Sequence, residues 1–436
     1  MRPALSGILS SLLLTFVLIF TSNSLPAQTA SAAQCVDCHS KVTPNIVSDW
    51  KLSKHSGAEV SCVACHGDQH LSASDVAMAK IPTPETCAQC HETQVTQFMK
   101  GKHAMAWAAM KAMPTIHWQP MAMTEGEKGC GGCHKIGDKT LTEIVELRQN
   151  GSGTEFGAAQ CDACHTRHTF SAEEARQPQA CETCHMGFDH PQWEMYSASK
   201  HGVRHELKQE HVLPATAAAP TCQTCHMQDG NHEVRTAWGF LAVRLPLPED
   251  KQWAADRATI LEALGVLDPQ GQPTKLVDVV KAADLARLTQ EDWQRERDKM
   301  IKTCNQCHSV NFARQQLALG DDMIKNADHL MDEAIRIVAG LYNGVLPKPA
   351  NYAYPFPNLL TFHDAPTVIE QKLFVMYLEH RMRTFQGTFH ASPDYALWYG
   401  WSEMQRDLTE IKELAAQMRR EKQGASLKPV KVPQKK

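Results

Sequence analysis

All 16 cysteines of this chain fall in the pattern Cys-x-x-Cys-His. The repeats are Cys35, Cys38 and His39; Cys62, Cys65 and His66; Cys87, Cys90 and His91; Cys130, Cys133 and His134; Cys161, Cys164 and His165; Cys181, Cys184 and His185; Cys222, Cys225 and His226; and Cys304, Cys307 and His308. Two thiols spaced this way can bond the two vinyl groups of a porphyrin, and the histidine that follows can reach its iron. Zinc sites need no histidine after every second cysteine, and a disulfide framework does not require this spacing. The pattern therefore predicts eight covalently bound c-type haems and leaves no cysteine for a disulfide. The run from Cys181 to Gly202 is the densest in chemistry. After its own attachment motif come Asp189 and His190, an adjacent acid and imidazole, and then His201 in Ser-Lys-His-Gly, a candidate second axial ligand.

The elements that must hold these groups differ along the chain. From Cys35 to His226, seven motifs are separated by Gly, Pro and Thr punctuation and short helical stretches. Such a segment cannot build an ordinary aliphatic core, so porphyrins must supply much of its apolar interior and its fold must depend on haem. Met105, Met110, Met113, Met121 and Met123, near Trp107 and Trp118, suit packing against porphyrin faces, because methionine fills irregular gaps. Glu249 to Leu264 reads as a helix ending at Asp268-Pro-Gln-Gly-Gln-Pro, and a second helix follows near Leu276 to Leu288. Thr289, with Asp292 three residues on, resembles a capping box opening the helix into the last motif.

Beyond His308 the chain reads as long helices. Met323, Ala327, Leu330, Ala334, Val338 and Leu341 keep three-and-four spacing, as do Met404, Leu408, Ile411, Leu414 and Met418. A third helix is expected over roughly Pro366 to Arg383, after a proline-rich loop from Pro347 to Pro357. The stripes predict intrachain core. The expected class is mainly α with little β: a haem-packed multihaem cytochrome c domain over 33–310, then a C-terminal helical region over 311–436.

Residues 1–32 read as a secretory signal, with Arg2, the apolar run Ile8 to Phe20, and Ala30-Ser31-Ala32 as the cleavage site. The run is too short to span a bilayer comfortably, and nothing later is apolar for long enough to cross one. Export fits the cysteines, since c-type haems are attached outside the cytoplasm; the expected location is periplasmic or otherwise extracytoplasmic. Removing the signal takes away Arg2 and no acid, which moves the formal charge from −4 to −5. That mildly acidic balance argues against nucleic acid as a partner. The basic tail Lys428 to Lys436 reads as a solvated end.

Of 22 histidines, eight are used in the motifs. The others are His55, His70, His103, His117, His168, His190, His201, His205, His211, His232, His329, His363, His380 and His390. If every iron takes a second histidine the protein is a wire, and if one does not, that iron can bind a substrate. The supply exceeds either demand, so counting does not choose.

A family resemblance does. The order of the eight motifs, the run Cys161-Asp-Ala-Cys-His-Thr-Arg-His-Thr-Phe-Ser-Ala, Asp189-His190 with Ser199-Lys-His-Gly, and the closing Gly400-Trp401-Ser-Glu-Met404 resemble the octahaem hydroxylamine oxidoreductase family. The resemblance implies seven bis-histidine haems and one catalytic haem. Matched motif by motif, it puts distal ligands at His55, His70, His103, His168, His201, His232 and His390. The resemblance also implies that the haem left open is the fourth, on Cys130, Cys133 and His134, where Gly129, Gly131 and Gly132 permit close backbone approach. Asp189 and His190 match the pocket pair that moves protons over the open iron. A homotrimer is also implied, with a small nitrogenous substrate and a quinol-linked or soluble cytochrome as redox partner; calcium is left undetermined.

Two departures bear on direction. Oxidative members cross-link a tyrosine to the catalytic haem three residues before the Gly-Trp matched by Gly400-Trp401. Here that residue is Leu397, with Tyr395 and Tyr399 on either side. A second pocket tyrosine, three residues after Trp238, is replaced by Leu241. Within the resemblance, both imply reduction of nitrite or hydroxylamine rather than oxidation of hydroxylamine. The alternatives are hydroxylamine oxidation to nitric oxide or nitrite, a non-enzymatic electron-transfer protein, and a reductase of other oxyanions such as tetrathionate.

Overall fold

A computed structural model describes residues 31–111, 119–124, 128–136, 160–187, 189–236, 247–282, 285–286, 288–349 and 352–426. Residues 1–30 of the expected export signal, the basic tail, His117, Met113, Trp118, Trp238 and Leu241 lie outside the described residues. The helices used below are α1 (Ala32–Val42), α2 (Pro44–Leu52), α3 (Pro84–Lys100), α4 (Gln192–Ala198), α5 (Lys200–Gln209), α6 (Lys251–Ala263), α7 (Leu276–Ala282), α8 (Gln290–Cys304), α9 (Val310–Ala339), α10 (Val368–Val375), α11 (Met382–Phe389) and α12 (Ser402–Ser426). Among the described residues the β content is a single isolated bridge, Leu267 to Pro273. The fold is mainly α, as the sequence predicts.

The aliphatic core belongs to the helices from α6 onward. Ile260, Leu261, Met331, Ala334, Ile335, Val338, Leu341, Leu373, Tyr377, Met404, Leu408, Ile411 and Ala415 pack into one buried cluster. Both predicted stripes contribute, with Ile324 rather than Met323 fully buried at the first turn of its stripe. The third helix runs further than expected. It continues from α10 through a π-helical turn, Met376–Arg381, into α11, and a second π-helical segment, Tyr395–Trp401, leads into α12. Thr289 caps α8, its hydroxyl accepting the Asp292 amide at 3.1 Å.

A charge cluster pins this bundle from inside. Asp328 of α9 is fully buried. Its Oδ1 accepts Nε and Nη2 of Arg381 at 2.9 and 2.7 Å, and its Oδ2 accepts Nη1 of Arg257 at 3.3 Å and the Trp253 indole at 2.7 Å. Three segments therefore meet on one carboxylate. Removing it strands two buried guanidinium groups, so Asp328→Ala is expected to cost about 3–5 kcal/mol. Thermal unfolding followed by circular dichroism measures this; a loss below ~1 kcal/mol would show that the pairs do not pin the bundle.

The segment carrying seven attachment motifs looks different. Its buried hydrophobic residues are few, Val47, Ala104, Met105, Trp107, Ala108, Met195 and Tyr196, while Leu52, Ile81 and Val42 stand 79%, 69% and 64% exposed on the polypeptide alone. This is the distribution expected where the polypeptide does not supply its own interior.

Candidate functional site

Each attachment motif is one helical turn. The histidine amide donates to the carbonyl of the first cysteine at 2.9 Å in His134, 3.0 Å in His165, 2.9 Å in His185 and 2.9 Å in His308. Such a turn puts residues i, i+3 and i+4 on one face, which is what two thioether bonds and an axial ligand require. All 16 cysteines are free of disulfides.

The seven predicted distal histidines each face a different motif histidine. Ring centres are 6.1 Å apart for His39 and His70, 6.2 Å for His55 and His91, and 6.1 Å for His66 and His168. They are 6.0 Å apart for His103 and His185, and 6.3 Å for His165 with His232, His201 with His308, and His226 with His390. An imidazole nitrogen binds a metal at about 2 Å, so two rings on opposite sides of one metal place their centres roughly 6 Å apart. The residues present therefore fit haem iron held between histidines.

The rings are also aimed. Nδ1 of His66, His232 and His390 donates to the carbonyls of Lys80, Gly230 and Gln386 at 2.9, 2.8 and 2.8 Å. His70 is held the same way by Asp75 at 2.7 Å. A carbonyl can only accept, so Nε2 is left with the free lone pair that a metal needs. Burial holds His103 and His226 down at about 4, which keeps both neutral, the ligating form, at neutral pH.

Two of the predicted distal histidines are positioned by one repeated device. In Trp50-Lys-Leu-Ser53-Lys-His55 and Tyr196-Ser-Ala-Ser199-Lys-His201, the serine ends one helix and starts the next. Its hydroxyl donates to the carbonyl three residues back, 2.6 Å at Ser53 and 2.7 Å at Ser199, and accepts the amide three residues on, 3.1 and 3.2 Å. The break in direction sets the histidine two residues past the cap. Gly202 is required beside it, because a Cβ there would run into the Tyr196 carbonyl.

His134 is the exception. Among the described residues no imidazole faces it at the paired distance. Burial lowers its pKa first, and the fields of His190, Asp189 and His185 also reach it. Gly129, just before the motif, allows the close approach expected of it: a Cβ would collide with the Met123 carbonyl. Asp189 and His190 lie beside this site, with His190 Nδ1 3.0 Å from Asp189 Oδ1. That distance suits an ion pair when the ring is protonated, but the direction is poor, and Nδ1 makes no regular hydrogen bond.

The attachment points also form a connected series. A thiol of one motif is felt at the next: Cys35 at Cys62, Cys87 at Cys65, Cys161 at Cys87, Cys181 at Cys164, Cys222 at Cys181, and Cys304 at Cys225. The fourth motif joins at the sixth, where Cys133 Sγ lies 3.9 Å from the Thr183 carbonyl. Burial, then Cys184, pushes the Cys133 thiol up to about 11.

Two nearby residues carried no signal in the sequence. Gln386 donates from Nε2 to the Asp189 carbonyl at 3.1 Å, and Glu194 Oε1 accepts the Gly187 amide at 3.1 Å. Leu397 and Tyr399 stand 42% and 54% exposed on the second π-helical segment, where the Tyr395 and Tyr399 rings pack tilted with centres 4.9 Å apart.

Fold and site together define a helical multihaem cytochrome c whose axial histidines come largely in facing pairs. The chain belongs to the multihaem cytochrome CxxCH family, whose profile, described as a seven-times multihaem cytochrome CxxCH, matches residues 58–257 and 278–351. Residues 20–67 match the cytochrome c554 and c-prime family. A probable nitrite reductase-hydroxylamine oxidoreductase fusion protein of Kuenenia stuttgartiensis is 28% identical over 90% of this chain and 52% of its own length. Multiheme cytochrome MtrA of Shewanella baltica (strain OS185) is 29% identical over 36% of this chain and 46% of its own. The chain thus spans about half the length of the curated relatives it matches. Among solved structures, a reducing HAO-like protein complex of Kuenenia stuttgartiensis superposes with a TM-score of 0.66 at 26% identity, covering 89% of this chain and 85% of that one. A hypothetical multiheme protein, at 22% identity and a TM-score of 0.61, shares the fold over 90% of this chain and 96% of its own. The protein is therefore a multihaem c-type cytochrome, similar to hydroxylamine oxidoreductase-like proteins. No helix among the described residues is long and apolar enough to cross a membrane.

Proposed function

We propose that the protein is an octahaem oxidoreductase that reduces nitrite or hydroxylamine towards ammonium at the haem on Cys130, Cys133 and His134. The observation that carries the reading is the inequality of imidazoles: seven motif histidines face a partner ring, and His134 has Asp189 and His190 nearby instead. Cys130, Cys133 and His134 would hold a haem there, whose iron would supply binding of a small nitrogen oxide and electron exchange with it. His190 holds the proton delivered to the departing oxygen, because each oxygen that leaves as water carries off two protons. Asp189 sets a carboxylate oxygen 3.0 Å from Nδ1 of that ring.

Leu397 supports the reductive direction, as does the reducing character named for the structural relative. The seven paired haems relay electrons from a quinol-linked or soluble cytochrome along the connected attachment points. Residues 1–32 act as the export signal to the periplasm, and the assembly is a homotrimer. The oxidative alternative rests on Tyr399, 54% exposed and thus available to a neighbouring chain.

Electron paramagnetic resonance of the oxidised holoprotein tests the reading. Low-spin bis-histidine signals are expected with one high-spin haem in eight, and that haem alone should bind nitric oxide or cyanide. Eight low-spin haems would make the protein a wire. A displaced Soret-side band in the reduced spectrum would reveal a tyrosine cross-link and favour oxidation.

A further inference from the structure

Gln386 lies on α11, four residues before His390, and is 6% exposed. Its Nε2 donates to the Asp189 main-chain carbonyl at 3.1 Å, and since that oxygen can only accept, the orientation of the amide is settled. Its own main-chain carbonyl accepts Nδ1 of His390 at 2.8 Å. One residue thus grips the acid-imidazole pair with its side chain and the ring facing His226 with its backbone. Oε1 of the same amide is buried and has no hydrogen-bond partner among the described residues. A buried amide that uses half its capacity is a net cost, and an aliphatic side chain would pack there without it. Stability therefore does not account for a glutamine at this position, whereas the bond to Asp189 does. On the other flank, Glu194 Oε1 accepts the Gly187 amide at 3.1 Å, so Gly187 and Asp189 are each held by a side chain.

We propose that Gln386 is a positioning residue for Asp189 and His190. The inference rests on the reading of that pair as the proton donors: the amide fixes the Asp189 peptide, and with it the direction of the His190 ring. It does so from the helix that also presents a ligand of the haem on Cys222 and Cys225. Proton delivery and the nearest stretch of the electron path are thereby built on one rigid element, α11.

The test compares kcat and KM for nitrite and hydroxylamine reduction in holoprotein carrying Gln386→Leu, His190→Ala, or both. Gln386→Leu is expected to lower kcat about tenfold with KM changed less than about twofold, because a loosened donor misses the transition state more than the bound substrate. In the His190→Ala background the same change should alter kcat by less than about twofold, since there is no ring left to aim. The potential and low-spin signal of the Cys222/Cys225 haem should stay in place, because the bond to His390 uses the main chain. Gln386→Glu, the same shape with an acceptor where the donor stood, should lose kcat likewise and keeps the test open if the leucine variant fails to fold. Additive losses, a disturbed Cys222/Cys225 haem, or wild-type kcat in both Gln386 variants would overturn the proposal and leave the glutamine a strut of α11. Full turnover in His190→Ala alone would sink the proton-donor reading, and this inference with it.

Discussion

Replacing His190 with alanine is expected to slow reduction of nitrite and hydroxylamine by about 100-fold or more, the usual worth of a positioned general acid. The KM should move little, because the ring acts on the departing oxygen rather than on the iron–nitrogen contact. The spectra of all haems should be retained, since His190 faces no motif histidine at the paired distance; its ring centre is 6.5 Å from that of His185, which already faces His103 at 6.0 Å. Asp189→Asn should fall between, losing about tenfold, because the imidazole remains but the carboxylate 3.0 Å from its Nδ1 is gone. Steady-state kinetics on full-chain holoprotein measure both. Unchanged turnover in His190→Ala would remove His190 from the proton-delivering role, whatever the ligation pattern.

The second large effect concerns folding. Chain made where haem cannot be attached should fail to reach this fold: proteolysis should digest residues 33–236, and no cooperative transition should be seen for that segment. The described part of it has only seven buried hydrophobic residues, from Val47 to Tyr196, to set against the entropy of ordering its chain. Facing histidines whose centres stand 6.0 to 6.3 Å apart do not attract one another, so without iron between them the pairs add nothing to hold the turns together. In the c-type haem chain, ligation and porphyrin burial supply what the side chains lack. Native helix content and a sharp unfolding transition in haem-free chain would contradict this.

Much of this was legible in the residues. The Cys-x-x-Cys-His spacing is local chemistry: one helical turn puts two thiols and a ring on one face whatever surrounds it, so covalent haem could be read directly. The core stripes of α9 and α12 were equally plain, because burial on one helix face imposes its own period. The Ser-Lys-His runs marked candidate ligands for a similarly local reason, a serine that caps the next helix in both copies.

Which ring faces which motif was a matter for the tertiary structure. His390 stands 164 positions after His226, and His308 comes 107 after its partner His201, with ring centres 6.3 Å apart in both pairs. No periodicity spans such separations; the pairing follows from how α5, α8 and α11 pack. The π-helical interruptions at Met376–Arg381 and Tyr395–Trp401 were hidden as well, since an inserted residue leaves the apolar pattern almost unchanged. So was Gln386, whose bond to Asp189 crosses 197 positions. Spacing along the chain specifies what a turn can bind, but the neighbour across an iron, or the amide behind a carboxylate, is chosen by helices that meet only when the whole chain has folded.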